Sequence, residues 1–131
     1  MCCGPAECAK IDTSYNTFVK SMPILKLDSV LGTSIKGHIA FVKMDVEGAE
    51  CKVLNGGTKL LQAPFHPDMI QSEVSPSSLS GCTAQGYLDR YANAGYCVHK
   101  NWFQCREPNH KAIHQGLADY YMLSKTFQGR I

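Results

Sequence analysis

The stretch IAFVKMDVEGAE, residues 39–50, decides the fold that we predict for this chain. It begins with an apolar run, interrupted by a single lysine, and ends in three carboxylates around one glycine. An apolar run of this length before a turn signal predicts a strand that is buried on both faces, as in a parallel sheet. The acids Asp45, Glu47 and Glu50 follow that strand directly. Because ligands bind at the carboxyl ends of the strands in open α/β sheets, we expect a ligand site here.

The residues after this strand predict a short, interrupted helix. Apolar side chains recur near helical spacing over residues 49–61, and the glycines at 56 and 57 should divide the helix from one further turn. Carboxylates also favour the positive end of a helix dipole, which offers a structural explanation for Glu50 and for Glu47. That explanation does not extend to Asp45, which stands before the helix. We therefore expect Asp45 to face a ligand.

The remainder of the chain completes an α/β pattern. We predict a strand at 69–74, a helix at 82–93 and strands at 96–103 and 119–125. The order of elements indicates a mostly parallel sheet with an antiparallel last strand. At 131 residues the chain has the size of one domain, residues 1–131, whose first 22 residues give little structural signal.

The composition excludes some functional classes and suggests a compartment. A formal net charge of +2 gives no reason to expect a nucleic acid or an anionic membrane as partner. No apolar run approaches the ~20 residues of a membrane span. The seven cysteines are odd in number and form no C-x-x-C motif, which favours free thiols in a reducing compartment. We therefore expect a cytoplasmic protein.

A zinc site is the alternative use of the later cysteines. Cys97, Cys105, His110 and His114 supply two sulfur and two nitrogen ligands in order. The gap of seven residues between the cysteines is longer than the two to four typical of a structural zinc site. The spacing therefore favours ordinary strand and loop residues, and we predict no metal here.

Two runs around the central strand resemble a known family. The run KMDVEGAE at 43–50, with VLNGG at 53–57, resembles the signature of the FkbM family of S-adenosylmethionine-dependent methyltransferases. The segments PILKLDSVL at 23–31 and MIQSEV at 69–74 resemble the family's flanking segments. The resemblance implies a Rossmann-like class I methyltransferase fold, a three-layer sandwich. The chain has no G-x-G-x-x-G turn for the cofactor, so it resembles only the C-terminal half of that fold.

The resemblance also implies an activity and roles for individual residues. It implies methylation of a hydroxyl on a small molecule or glycan, with S-adenosylmethionine as cofactor. Asp45 and Glu47 would be catalytic, Asp45 and Gly48 would contact the cofactor, and Glu50 and Glu73 would contact the substrate. A carboxylate within hydrogen-bond reach of the hydroxyl could accept its proton as a general base.

Two other interpretations of the same residues stay open. The chain could be a non-catalytic remnant that associates through a bare sheet edge, because an incomplete fold leaves the strand at 39–44 with one unpaired side. A homodimer partner or a missing N-terminal half would fill that edge. Alternatively, Asp45, Glu47 and Glu73 could hold magnesium or calcium, since hard cations prefer oxygen ligands.

Overall fold

The structure, a computed structural model, describes residues 21, 23–100 and 117–128. Most of the N-terminal segment that gave little sequence signal lies outside these residues. The elements within them are α1 Leu27–Val30, β1 Phe41–Met44, α2 Glu50–Asn55, a 3₁₀ helix Thr58–Leu61, β2 Met69–Val74, α3 Ala84–Asn93, β3 Tyr96–His99, β4 Ala118–Ser124 and α4 Lys125–Gln128.

The four described strands form one mixed sheet in the order β1-β2-β4-β3. β1 and β2 are parallel, with Phe41 opposite Met69 and Met44 opposite Ser72. β4 lies between β2 and β3 and is antiparallel to both. The prediction of an antiparallel last strand is therefore confirmed. The prediction of a mostly parallel sheet is wrong for the described residues, because inserting β4 between β2 and β3 makes two of the three strand pairs antiparallel.

β1 is shorter and less buried than its apolar sequence predicts. It covers four residues, and of these only Met44 is buried, while Phe41 and Lys43 are exposed. Its position explains the difference, because among the described strands β1 pairs with β2 alone and forms the edge of the sheet. The prediction that a second copy or a further part of the fold covers this edge stays a prediction.

The helices before β3 follow the sequence pattern closely, whereas α4 was not predicted and begins at Lys125, the last residue of the predicted final strand. α2 ends at Asn55 and the 3₁₀ helix begins at Thr58, which confirms the predicted break at the two glycines. α3 begins at Ala84, two residues later than predicted, because the Thr83 side chain accepts a hydrogen bond from the Gly86 N–H at 3.0 Å and caps the helix. The longest of these helices has ten residues, and none of the described helices is long and apolar enough to cross a bilayer.

The core beneath the sheet carries a chain of buried hydroxyl groups. The Tyr87 hydroxyl lies 2.9 Å from Ser72 Oγ and 2.7 Å from the Tyr91 hydroxyl. It also contacts the sulfur of Met44, the last residue of β1, at 3.2 Å. All four side chains are buried. α3 is thereby held against the ends of β1 and β2, where the site residues begin.

A disulfide joins Cys51 in α2 to Cys82, which lies just before α3, with 6.0 Å between the Cα atoms. Cys97 is disulfide-bonded as well. The prediction of free thiols is therefore wrong for these three cysteines, because the pairing depends on a spatial proximity that the sequence spacing does not reveal. The zinc alternative loses Cys97 as a thiolate ligand, and its other three residues lie outside the described part of the chain.

Candidate active site

The segment that follows β1 is a tight turn rich in carboxylates, and we call residues 45–50 the acid turn. The Ala49 N–H donates to the Val46 carbonyl at 3.1 Å. The two central residues both have positive φ, 52° at Glu47 and 94° at Gly48. These values correspond to a type I′ turn, in which both central residues lie in the left-handed region. A non-glycine residue rarely adopts this conformation, and such residues concentrate at functional sites.

Gly48 is required by its surroundings as well as by its φ angle. The Ser80 N–H donates to the Gly48 carbonyl at 2.9 Å, which brings the segment after β2 against the acid turn. A Cβ atom at position 48 would lie 2.9 Å from the Ser78 carbonyl carbon and would also collide with its oxygen. The turn therefore excludes any side chain at this position.

Glu50 lies beneath the turn and is almost fully buried, with 2% of its surface exposed. One carboxylate oxygen, Oε1, accepts the N–H groups of Val46 at 3.4 Å and Gly48 at 3.3 Å. The other, Oε2, is buried and has no hydrogen-bond partner among the described residues. Glu50 therefore closes the turn with one oxygen and leaves the second unsatisfied.

The five residues that the sequence singled out line one small cavity of about 160 Å³. They meet because β1 and β2 are parallel and Met44 is opposite Ser72, so the residues at 45 and 73 lie at the same edge of the sheet. The cavity is lined by Asp45, Glu47, Gly48, Glu50, Glu73, Ser75, Ser78 and Leu117. The sequence analysis missed the last three, although the position of the serines in the loop directly after β2 could have indicated them.

The cavity carries an excess of negative charge. Among the described residues its one close ion pair joins the Lys43 ammonium, at the rim, to Asp45 Oδ2 at 3.1 Å. No lysine or arginine within the described ranges lines the cavity itself. The pKa of the Glu73 carboxyl is raised by partial burial and then by the negative charges of Asp45, Asp119 and Glu47. The site is therefore suited to a ligand that donates hydrogen bonds or carries positive charge.

The magnesium or calcium interpretation finds no support in this geometry. Within residues 21, 23–100 and 117–128, no three histidine, cysteine, aspartate or glutamate side chains are arranged to hold a metal ion. The carboxylates of Asp45, Glu47 and Glu73 are included in this statement. They share a cavity without converging on one point.

Comparison with known proteins places the chain in a family. No curated protein and no solved structure matches it significantly. The family model of the methyltransferase FkbM domain matches residues 5–115. That span begins well before the segments that carried the resemblance and includes seven of the eight residues that line the cavity. The chain belongs to the FkbM methyltransferase domain family.

Proposed function

We propose that the chain transfers a methyl group from S-adenosylmethionine to a hydroxyl oxygen of a small molecule or glycan. The observation that supports this most directly is the cavity at the carboxyl ends of β1 and β2 in a chain of a methyltransferase family. Open α/β sheets bind their ligands at this edge. A Rossmann-like arrangement of the complete sheet is part of the same proposal.

The described residues fit part of the cofactor. S-adenosylmethionine supplies, when bound, an electrophilic methyl group on a positively charged sulfur. The Asp45 carboxylate would attract that charge, and Gly48, which lines the same cavity, would contact the cofactor through its backbone. The volume of about 160 Å³ is below the ~300 Å³ at which small-molecule sites usually begin, so the cavity would not enclose the cofactor, whose charged end would approach only the exposed Asp45.

The acid turn can supply the base for the reaction. The acceptor hydroxyl loses its proton as its oxygen gains the methyl group, and Asp45 or Glu47 would take that proton. The ion pair with Lys43 holds the Asp45 carboxylate in place, whereas the left-handed backbone fixes the direction of Glu47. Glu50 and Glu73, which also line the cavity, would orient the acceptor.

Cofactor binding is the first test. Isothermal titration of the full chain with S-adenosylhomocysteine should give a measurable dissociation constant. No heat at millimolar ligand would support the alternative, a non-catalytic remnant that acts by association.

Methyl transfer is the second test. With radiolabelled S-adenosylmethionine and a panel of hydroxylated acceptors, Asp45→Asn should lower turnover by about 100-fold or more, because a general base contributes at least that factor. Asp119→Asn is the matched control, since Asp119 is close enough to raise the pKa of Glu73 but does not line the cavity. An Asp45→Asn variant that keeps more than about a tenth of the turnover contradicts the role of Asp45.

The disulfides change the compartment that we propose. The cytoplasmic location was expected together with free thiols in a reducing compartment, whereas Cys51, Cys82 and Cys97 are disulfide-bonded. Disulfides persist in oxidising compartments and are rare in the cytosol. We therefore propose that the protein works in an oxidising compartment. When protein from its native source is alkylated without reduction, mass spectrometry should find these three cysteines unalkylated because they are in disulfides.

A further inference from the structure

The unsatisfied oxygen of Glu50 is the feature of the site that methyl transfer does not explain. The side chain is 2% exposed, and its Oε2 has no partner within the described residues. Leaving a buried carboxylate oxygen without a hydrogen-bond donor is unfavourable, so native structures rarely retain such an atom without a reason. The role of Glu50 in closing the turn is performed by Oε1 alone. Oε2 thus lacks a hydrogen-bond donor in a residue that lines the cavity.

The walls around this oxygen favour a donor that carries positive charge. Glu50 shares the cavity with three further carboxylates, those of Asp45, Glu47 and Glu73. Lys43 contacts Asp45 from the rim, and no basic side chain of the described ranges lines the walls. Carboxylates only accept hydrogen bonds, whereas an ammonium group only donates them and has three N–H groups to do so. An anionic ligand would be repelled by the four carboxylates.

We propose that this cavity binds a protonated primary amine on the methyl acceptor, as in an amino sugar or an amino alcohol, through Glu50 Oε2 and the neighbouring carboxylates. The proposal rests on the proposed function in one respect, namely that the molecule carrying the amine is also the molecule that receives the methyl group. A protonated amine has no free electron pair, so it would anchor the molecule while a nearby hydroxyl receives the methyl group. The volume of about 160 Å³ admits one small group of this kind.

Two sugars that each differ from glucose in one substituent provide the test, glucosamine with an amine at C2 and glucuronate with a carboxylate at C6. Glucosamine, glucose and glucuronate are titrated into the ¹⁵N-labelled full chain at mildly acidic pH, without cofactor, and the amide shifts of Gly48 and Glu50 are followed. We expect glucosamine to bind at least about tenfold more tightly than glucose, and glucuronate to bind least, because like charges suppress binding. No glucosamine shift at millimolar concentration, or equal binding of glucuronate, overturns the proposal.

Substitutions test which side chain is responsible for the preference for glucosamine over glucose. Glu50→Gln replaces an acceptor by an N–H₂ donor at the unsatisfied position and should remove the preference for glucosamine. Should that variant fail to fold, Glu73→Gln changes a less buried wall residue and should reduce the preference. Asp119→Asn removes a nearby charge outside the cavity and should leave the preference intact. A full preference in Glu50→Gln, or its loss in Asp119→Asn, overturns the assignment to Glu50.

These outcomes are separate from those of the proposed function. The sugar titration contains no cofactor, so glucosamine can bind in a chain that transfers no methyl group. Conversely, methyl transfer to an anionic acceptor would support the enzyme and contradict the amine site.

Discussion

The acid turn and the core cluster around Tyr87 lie next to each other and satisfy their polar groups to different degrees, although the buried Tyr120 hydroxyl on β4 also has no hydrogen-bond partner among the described residues. In the core, the hydroxyl of Tyr87 has two hydroxyl partners and a sulfur contact, and the Tyr96 hydroxyl donates to the Pro67 carbonyl at 2.8 Å. In the acid turn, a buried oxygen of Glu50 has no described partner and two successive residues have positive φ. The core therefore contributes stability, whereas the turn retains unfavourable features, as functional sites often do.

One residue connects these two regions. Met44 ends β1 with its sulfur on the Tyr87 hydroxyl, and the next residue, Asp45, lines the cavity. The rigid core thus fixes where the turn begins. The contrast predicts that substitutions in the core reduce stability and that isosteric substitutions in the turn reduce function.

Removing the centre of the core should have the largest effect on stability. Tyr87→Ala should lower the free energy of unfolding by ~3–5 kcal/mol, because a large, fully buried aromatic side chain is lost. Tyr87→Phe is the matched control and should lose about 1–3 kcal/mol, since it keeps the packing but leaves Ser72 without its hydroxyl partner and Tyr91 with only a 4.0 Å contact to the Met44 sulfur. Urea denaturation followed by circular dichroism measures both. A loss below about 1 kcal/mol in the alanine variant would show that this is not the stabilising region.

Removing the disulfide should have the next largest effect on stability, because this bond joins the start of α2 to the segment before α3. The double variant Cys51→Ser, Cys82→Ser should lose about 2–4 kcal/mol, the usual contribution of a disulfide. Comparing this variant with the wild type, both without reductant, leaves the disulfide of Cys97 intact. Equal urea midpoints for the two proteins would mean that the hydrogen bonds of the acid turn hold these segments without the covalent link.

Substitutions at two glycines with nearly equal φ distinguish the cost of backbone strain from the cost of a steric clash in the turn. Gly48 has φ +94° and Gly95 has φ +89°, but a Cβ atom would collide with the Ser78 carbonyl group only at position 48 and meets nothing within 4 Å at position 95. Alanine at either position should lose about 1 kcal/mol from the left-handed backbone. Gly48→Ala should lose ~1–3 kcal/mol more, since the Ser78 segment must move. Equal melting temperatures for the two variants would mean that the Ser78 segment can move to accommodate a Cβ atom without loss of stability.

The local parts of this fold could be predicted from the sequence. β2 covers residues 69–74 as predicted, and the helix with its break follows the spacing of apolar residues and two glycines. These features depend on neighbours in sequence. The meeting of Asp45 and Glu73 could be predicted too, because the carboxyl ends of two parallel strands share one edge of the sheet.

The rest depends on contacts between distant residues. The exposure of Phe41 follows from which strands flank β1, and the disulfide follows from a proximity across 31 residues. Glu50 shows the limit most clearly, since its sequence position fits an exposed helix start as well as a buried site. Only the folded turn shows that its carboxylate lies inside, with one oxygen unsatisfied.

The smallest effect concerns the charge of the site and depends on pH. The pKa of Glu73 is raised above its ordinary value of 4.5, by partial burial first and then by Asp45, Asp119 and Glu47. A raised folded-state pKa means that this group's stabilising contribution is fully present below pH 4.5 and is lost as pH rises through the folded pKa. Glu73→Gln should therefore raise the melting temperature slightly at neutral pH, and this gain should vanish well below pH 4.5.

Asp28, away from the site, provides the control of opposite sign. Burial acts to raise the pKa of Asp28, but hydrogen bonds donated by Lys59 and Thr58 outweigh it and lower the pKa below 3.8. Its contribution is present above pH 3.8 and is lost as pH falls through the folded pKa. Asp28→Asn should therefore destabilise the protein at neutral pH, and the difference from wild type should shrink in acid. If Glu73→Gln instead lowers the melting temperature at neutral pH, as Asp28→Asn should, the repulsion among the acids of the cavity does not reach Glu73, and the contrast between the turn and the rest of the molecule is structural rather than electrostatic.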